Sequence, residues 1–153
     1  MNKIHASSPD RIEIFVFEDI GPGFAREIVD TLRRTPGARE IDVFINSDGG
    51  HVVEALGAFS ALSQHPAHVT VHIEGLAASA AGFLAMAGDR VLMAENALMM
   101  IHDPWLNLSG DSAELRKTAD LLDKHAETLA GAYCKKTGLT RDQVRDLMKV
   151  ETW

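Results

Sequence analysis

The sequence predicts a single α/β domain over residues 1–153, because strand-like segments alternate with segments that have helical spacing. Three short runs are rich in the β-branched and aromatic residues typical of buried strands: Ile12–Phe17, Ile41–Ile45 and Val69–Ile73. Between them, apolar residues recur at intervals of three and four in Phe24–Arg34 and Val52–Leu62, which indicates two amphipathic helices. The length of 153 residues is sufficient for one sizeable core.

The pattern continues after the third strand. A helix is predicted from Ser79 to about Ala87, and two short strands follow it, Arg90–Met93 and Leu98–Ile101. Asp111, with Glu114 three residues later, has the spacing of a capping box and predicts the start of a long helix that ends at Gly138. We expect one apolar face along it, formed by Leu115, Ala119, Leu122, Ala126, Leu129 and Tyr133.

A final short helix is predicted where Thr140 and Gln143 repeat the capping pattern. Its apolar positions are Val144, Leu147 and Met148.

Bulk properties exclude several classes of protein. A net charge of −7 argues against nucleic acid or an anionic membrane surface as the main partner. The single cysteine, Cys134, cannot form an internal disulfide and suggests a reducing compartment. The first residues lack the apolar core of a signal peptide, and the longest apolar run, Gly75–Gly88, is too short to span a bilayer. The sequence therefore predicts a cytoplasmic protein.

The most informative segment for chemistry is Gly75–Gly82, where the hydroxyl of Ser79 stands among glycines and alanines. Side chains this small let the main chain and a substrate approach closely. The helical pattern that follows places Ser79 at or near a helix N-terminus, where unpaired N–H groups stabilise negative charge. The residue is therefore a candidate nucleophile, although tight helix-on-sheet packing would explain the same composition.

A base and an oxyanion hole can be assembled around that serine. His102 follows a strand-like run, and imidazole is the usual base for a serine nucleophile. The main-chain N–H groups of Gly49-Gly50 and of the Ser79 segment could form an oxyanion hole.

A carboxylate is still needed to orient the imidazole, and the candidates are Asp103, Asp111 and Glu151. Asp103 is a poor one, because neighbouring strand residues point to opposite faces. If His102 is the base, activity should fall in acid, since a protonated imidazole cannot accept the serine proton. The histidines show no metal-binding spacing and the glycines no nucleotide-binding motif, so no metal or cofactor is expected.

Three motifs occur in order: Ile45-Asn-Ser-Asp-Gly-Gly50, Gly75-Leu-Ala-Ala-Ser79-Ala and Met100-Ile-His102-Asp-Pro104. They resemble the proteolytic subunit of the Clp protease family, which has an INSPGG turn, a G-x-A-A-S segment with the nucleophile and an M-I-H-x-P segment with the base. The resemblance extends from about Ile12 to Trp153. It implies the Clp/crotonase fold of repeated β-β-α units, with the helix from Asp111 to Gly138 projecting as a handle.

The resemblance also implies roles. Ser79 is the expected nucleophile, His102 the base and Glu151 the third member of a Ser-His-acid triad, at a position where the family has aspartate. The expected oxyanion donors are the N–H groups of Gly50 and Ala80.

The chain departs from the family pattern in three ways. Asp48 replaces a proline, which puts a charge near the cleft. A short segment of about a dozen residues before the first strand weakens the case for an ATPase partner. A chain that stops at Trp153 would lack the final strand.

Within the family the sequence looks most like phage and prophage head maturation proteases. This is suggested by Asp103-Pro104-Trp105 after the histidine and by the terminal Glu151-Thr-Trp153. A serine endopeptidase that trims capsid or scaffold proteins is implied, in homo-oligomeric rings of seven or their stacked dimers. The alternatives are an ATP-dependent housekeeping Clp subunit, a catalytically degenerate ring-forming subunit and a crotonase-type acyl-CoA enzyme.

Overall fold

The computed structural model describes residues 2–153, which form two compact units. The first unit runs to Met100 and also includes Trp153, and the second is Ile101–Thr152. None of the helices in the described part of the chain has the length and apolar character needed to cross a bilayer.

The first unit is built on one six-stranded sheet with three helices. Its elements in chain order are β1 (Lys3–Ser8), β2 (Arg11–Val16), α1 (Phe24–Arg34), β3 (Glu40–Ser47), α2 (Val52–Ser63), β4 (His68–Ala78), α3 (Ala80–Ala85), β5 (Arg90–Met93) and β6 (Leu98–Met100). The strand order is β1-β2-β3-β4-β5, with β6 pairing farther along β4. β1 is antiparallel to β2 and the other pairs are parallel. The α/β fold class is therefore confirmed.

The core of this unit lies on the sheet face that α3 contacts. Alternate residues of the central strands are buried there: Ile12, Ile14, Val16, Ile41, Val43, Ile45, Val69, Val71 and Ile73. α1 packs on α2, and α2 packs on α3 through the stacked rings of Phe59 and Phe83, whose centroids are 4.8 Å apart. Burial of these apolar side chains is the main force that holds the unit together.

The second unit contains α4 (Ser112–Thr137) and α5 (Arg141–Lys149). Both predicted capping boxes are confirmed, at Asp111 with Glu114 and at Thr140 with Gln143. Gly138 ends α4 in the left-handed conformation with φ of 76°. Local signals of this kind depend on residues a few positions apart, which explains why the sequence located them well.

Two strand predictions were incomplete. β1 lies within the segment that was expected to precede the first strand. The sequence did not predict it, because KIHASS is mostly polar; pairing with β2 stabilises the strand. β4 continues to Ala78, beyond the predicted end at Ile73. Glycine and alanine have low strand propensity, so the extension depends on pairing with β6 in the register Leu76↔Leu98. Gly75–Ala78, where the sequence predicted no strand, thus belong to β4.

The predicted apolar face of α4 is buried only in its C-terminal half, at Ala126, Leu129 and Tyr133, where Ala130 is buried as well. Leu115, near the other end, is 45% exposed. α5 packs against α4, and its Arg141 donates to the Glu127 carbonyl oxygen at 2.6 Å. Burial within this chain is therefore limited to part of the helix.

Candidate active site

Ser79 occupies a tight strand-to-helix turn. It follows β4 directly and is the N-cap of α3, with φ of 54° and ψ of −122°. Among residues 2–153, Ser79 and Glu151 are the non-glycine residues with positive φ. A non-glycine residue persists in such a conformation only where surrounding structure enforces it, and such strain is typical of functional sites. A sharp turn of this kind presents a hydroxyl above the end of a sheet.

Gly49 lies against this turn so closely that no larger residue fits. A Cβ atom placed on Gly49 would lie 2.8 Å from the Cβ of Ser79 and 2.7 Å from the carbonyl oxygen of Ala78. Its φ of 110° also belongs to a region that L-residues rarely adopt. The Gly49-Gly50 turn and the Ser79 turn, both predicted from sequence, are therefore adjacent in space.

A network that the sequence did not reveal holds the glycine turn in place. The Ser47 hydroxyl donates to the Glu18 carbonyl oxygen at 2.8 Å and accepts from the Gly49 N–H at 3.1 Å. Ile20 bridges to the other side of the turn, since its N–H donates to the Gly49 oxygen at 2.6 Å and its oxygen accepts from His51. Because Gly49 donates to Ser47, the adjacent Gly50 N–H is the donor that this turn can offer to a ligand.

Ala80 supplies the second predicted donor. It is the first residue of α3, where an N–H group has no acceptor within its own helix. Its nitrogen would lie 3.0 Å from a Cβ on Gly49, so it too faces the glycine turn. The first unit thus brings Ser79 and Ala80 against the Gly49-Gly50 turn, which is the neighbourhood expected for a nucleophile with main-chain oxyanion donors.

The second unit brings His102 and Glu151 together. The His102 Nδ1 lies 3.9 Å from the Glu151 Oε2, close enough for an ion pair but longer than a hydrogen bond. The His102 side chain is 15% exposed and that of Glu151 is 53% exposed. The glutamate that the resemblance assigns to the third position of a triad therefore lies near the imidazole.

Main-chain bonds fix both neighbours of His102 to the C-terminal segment that carries Glu151. Ile101 and Thr152 exchange two hydrogen bonds of 2.9 and 3.0 Å. On the other side, the Asp103 N–H donates to the Met148 carbonyl oxygen at 3.2 Å. Glu151 itself has a positive φ of 52°, so its backbone is constrained as well. The pairing of this histidine with this carboxylate therefore depends on contacts across about fifty residues of sequence.

The other two candidate carboxylates have different partners. Asp103 forms an ion pair with Arg145. Asp111 accepts hydrogen bonds from the N–H groups of Ala113 and Glu114 as the cap of α4. Sequence reasoning missed Arg145 because no motif marks it and because it lies 42 residues from Asp103.

Comparison with known proteins shows which family the chain belongs to. The sequence profile of the Clp protease family matches residues 2–153. An uncharacterized protein of Methanocaldococcus jannaschii is 32% identical over 129 residues, which cover 82% of this chain and 45% of that protein. ATP-dependent Clp protease proteolytic subunit 2 of a Synechococcus species is 30% identical, over 86% of this chain and 70% of the relative. The corresponding subunit of Chara vulgaris is 27% identical, over 88% and 66%. The chain thus spans between 45% and 70% of the length of these relatives.

Proposed function

The chain belongs to the Clp protease family, and from that premise we propose that it is a serine endopeptidase. Ser79 is the nucleophile, His102 the general base and Glu151 the group that orients the imidazole. The N–H groups of Gly50 and Ala80 form the oxyanion hole. The proposal treats residues 1–153 as one Clp-type domain that needs neither metal nor cofactor and works in the cytoplasm.

The observation that carries the proposal is the conformation of Ser79. A serine at positive φ between a strand and a helix, in van der Waals contact with a glycine turn, costs free energy of about 1–3 kcal/mol that packing alone does not require. The proposed oxyanion donors come from the two turns that meet here, Gly50 from the glycine turn and Ala80 from the start of α3, which supports a site that stabilises an oxyanion.

In the proposed reaction the Ser79 Oγ attacks the carbonyl carbon of the scissile peptide bond while the His102 imidazole takes its proton. Because Glu151 lies on the Nδ1 side of the ring, Nε2 is the nitrogen that accepts this proton. The oxyanion accepts hydrogen bonds from Gly50 and Ala80. The imidazolium then protonates the leaving amine. In the second half of the reaction, His102 takes a proton from water, and the water oxygen attacks the carbonyl carbon of the acyl-enzyme. The Ser79 oxygen then leaves and takes up the proton from the imidazolium.

For the biological role we propose a phage-type head maturation protease that cuts capsid or scaffold proteins. The sequence features after His102 and at the C-terminal end support this branch. A second candidate is the proteolytic subunit of an ATP-dependent Clp protease, which is what the Synechococcus and Chara relatives are named. The two differ in their partner. Cleavage of a capsid or scaffold protein without ATP supports the first, whereas protein degradation that requires a Clp ATPase supports the second.

The proposed assembly is a homo-oligomeric ring of seven subunits or a stacked pair of such rings. The exposed apolar residues on the N-terminal half of α4, including Leu115 and Leu121, support an intermolecular contact.

Two further alternatives predict no serine chemistry. A crotonase-type acyl-CoA enzyme would need an acid/base carboxylate in place of Ser79. A degenerate assembly subunit would form the ring without cleaving peptides.

A fluorophosphonate probe tests the activity directly. We expect the purified chain to acquire a single covalent adduct, located at Ser79 by mass spectrometry of its peptides, and to cleave a fluorogenic peptide library. Ser79→Ala should abolish both the adduct and the cleavage. A correctly folded oligomer that is not labelled at Ser79 would contradict the proposal and favour the degenerate subunit.

A further inference from the structure

A cluster of four charged residues lies beside the peptide that carries His102. It consists of Asp103, Glu127, Arg141 and Arg145, all in the second unit. Arg145 binds both carboxylate oxygens of Asp103, one of them at 3.4 Å, and its Nε lies 3.2 Å from Glu127 Oε1. Arg141 binds the other oxygen of Glu127, also at 3.2 Å, and does so without contacting Asp103. Arg145 is thus the member that links the cluster to the residue after His102.

The Arg145–Asp103 pair differs from an ordinary surface ion pair. The guanidinium side chain is only 16% exposed and contacts its partner through two nitrogens, a geometry that restricts rotation as well as position. Exposed single-contact pairs contribute little, but a shielded bidentate pair holds its partner in place. Asp103 is therefore attached to α5 twice, by this pair and by its N–H bond to Met148.

α5 also determines where Glu151 lies. Met148 is its last buried residue, the Glu151 N–H donates to the Met148 oxygen at 3.3 Å, and Thr152 bonds back to Leu147. The same helix end therefore anchors the peptide after His102 and the backbone of its carboxylate partner. A small shift of Asp103 relative to α5 would change the separation of His102 and Glu151, which is already 3.9 Å.

We propose that Arg145 is a positioning residue for catalysis, which acts through Asp103 to hold His102 at a fixed distance from Glu151. This inference rests on the proposed serine peptidase function. The ion pairs of Arg145 are with Asp103 and Glu127, so its effect on the imidazole passes through Asp103. Displacement of a catalytic group by about 1 Å can lower a rate by about 100-fold. Loss of the Arg145–Asp103 ion pair should therefore lower the turnover rate more than it weakens substrate binding.

The test compares Arg145→Gln with the matched control Arg141→Gln, which removes the neighbouring arginine of the same cluster. We expect Arg145→Gln to lower kcat by about 10- to 100-fold with KM within about twofold, and Arg141→Gln to change neither by more than about twofold. Arg145→Lys should recover only part of kcat, because an ammonium cannot make the bidentate contact. Equal kcat in the two glutamine variants would overturn the proposal.

Asp103→Asn shows whether the effect passes through Asp103. We expect this variant to reproduce the loss of kcat, and the double variant with Arg145→Gln to be no worse than either single one, as coupled residues require. Fully additive losses would overturn the proposal. Circular dichroism and thermal unfolding confirm that each variant is folded.

A readout that does not need activity separates this inference from the proposed function. In a histidine ring ¹H–¹⁵N spectrum, Glu151→Gln and Arg145→Gln should both shift the His102 resonances, whereas Arg141→Gln should leave them in place. Unshifted His102 resonances in Arg145→Gln overturn the positioning role. Failure of the wild type to label at Ser79, with those shifts present, overturns the peptidase function and leaves the structural link between Arg145 and His102 supported.

Discussion

The main-chain N–H of Ser79 donates a hydrogen bond to the carbonyl oxygen of Met100, with a length of 2.9 Å. Met100 is the last residue of β6 and pairs with Ala78 in the parallel register of β4 and β6. The strained serine is thus held from one side by β6 and from the other by the close contact with Gly49. Because these contacts enforce its conformation, the strain at Ser79 can persist in the folded state.

Because glycine would relieve this strain, we predict that glycine at position 79 gives a more stable protein than alanine, the reverse of the usual order at a helical position. Ser79→Gly should be more stable than Ser79→Ala by about 1 kcal/mol, because glycine adopts positive φ without a Cβ clash. Both variants should be inactive, since neither has the nucleophile. Chemical denaturation with urea measures the difference.

The exposed helical residue Ser60 in α2 serves as the matched position, where the order should reverse. Ser60→Gly should be less stable than Ser60→Ala by about 1 kcal/mol, the usual helix propensity difference. If the alanine variant were more stable than the glycine variant at both positions, Ser79 would carry no backbone strain.

Gly49→Ala should lower activity by at least about 100-fold. The new Cβ would overlap the Ala78 oxygen and the Ser79 Cβ, and it would do so in a residue with φ of 110°. Displacement of the turn would move both the nucleophile and the oxyanion donors, and either effect costs about this much. The rate of fluorophosphonate labelling provides the measurement.

Gly21→Ala provides the control, since a Cβ there has no atom within 4 Å and no positive φ opposes it. We expect that variant to label at the wild-type rate. A Gly49→Ala protein that is labelled equally fast would exclude the proposed role of this turn.

Glu151→Gln should lower kcat by roughly 10²–10⁴, because loss of the charge removes the group that favours the imidazolium and its tautomer. Steady-state peptide hydrolysis measures the loss. Asp146→Asn is the control, since this exposed carboxylate of α5 pairs only with Lys149 among the ion pairs of residues 2–153. If both variants keep wild-type kcat, Glu151 does not orient His102 and the triad assignment is wrong.

The hydrogen bonds that the Glu54 carboxylate accepts should make the free energy of unfolding depend on pH. Its carboxylate accepts a hydrogen bond from the Ala25 N–H at 2.9 Å, and the N–H groups of Ala25 and Gly23 at the start of α1 lower the pKa of Glu54 below its ordinary value of 4.5. Since a lowered carboxyl pKa means that folding favours the ionised form, the contribution is complete above pH 4.5 and disappears as the pH falls through the lowered pKa.

Glu54→Gln should therefore lower the free energy of unfolding at pH 7 by less than about 1 kcal/mol, and the difference from wild type should shrink progressively as the pH falls below 4.5. Thermal unfolding between pH 3 and 8 measures it. Glu95→Gln, in the exposed turn between β5 and β6, is the control and should follow the wild-type curve. A constant difference at all pH values would show that the ionised form of Glu54 makes no special contribution.

The sequence by itself determined the elements whose signals are local. The bounds of α1 and β5 and both capping boxes agree with prediction, because periodicity and capping involve residues within a few positions of one another. The three ordered motifs likewise identified Ser79, His102 and the glycine turn as candidates. For the carboxylate, the residues alone left three candidates, and only the family resemblance selected Glu151.

Tertiary structure decided what depends on distant pairing. The polar strand β1 and the extension of β4 exist because neighbouring strands satisfy their hydrogen bonds. The contacts of Asp103 and Glu151 with residues far away in the sequence depend on where α5 packs, and so does the link from Arg145 to Asp103. No sequence pattern encodes such contacts, because they join residues that come together only when the apolar faces of separate elements are buried against each other.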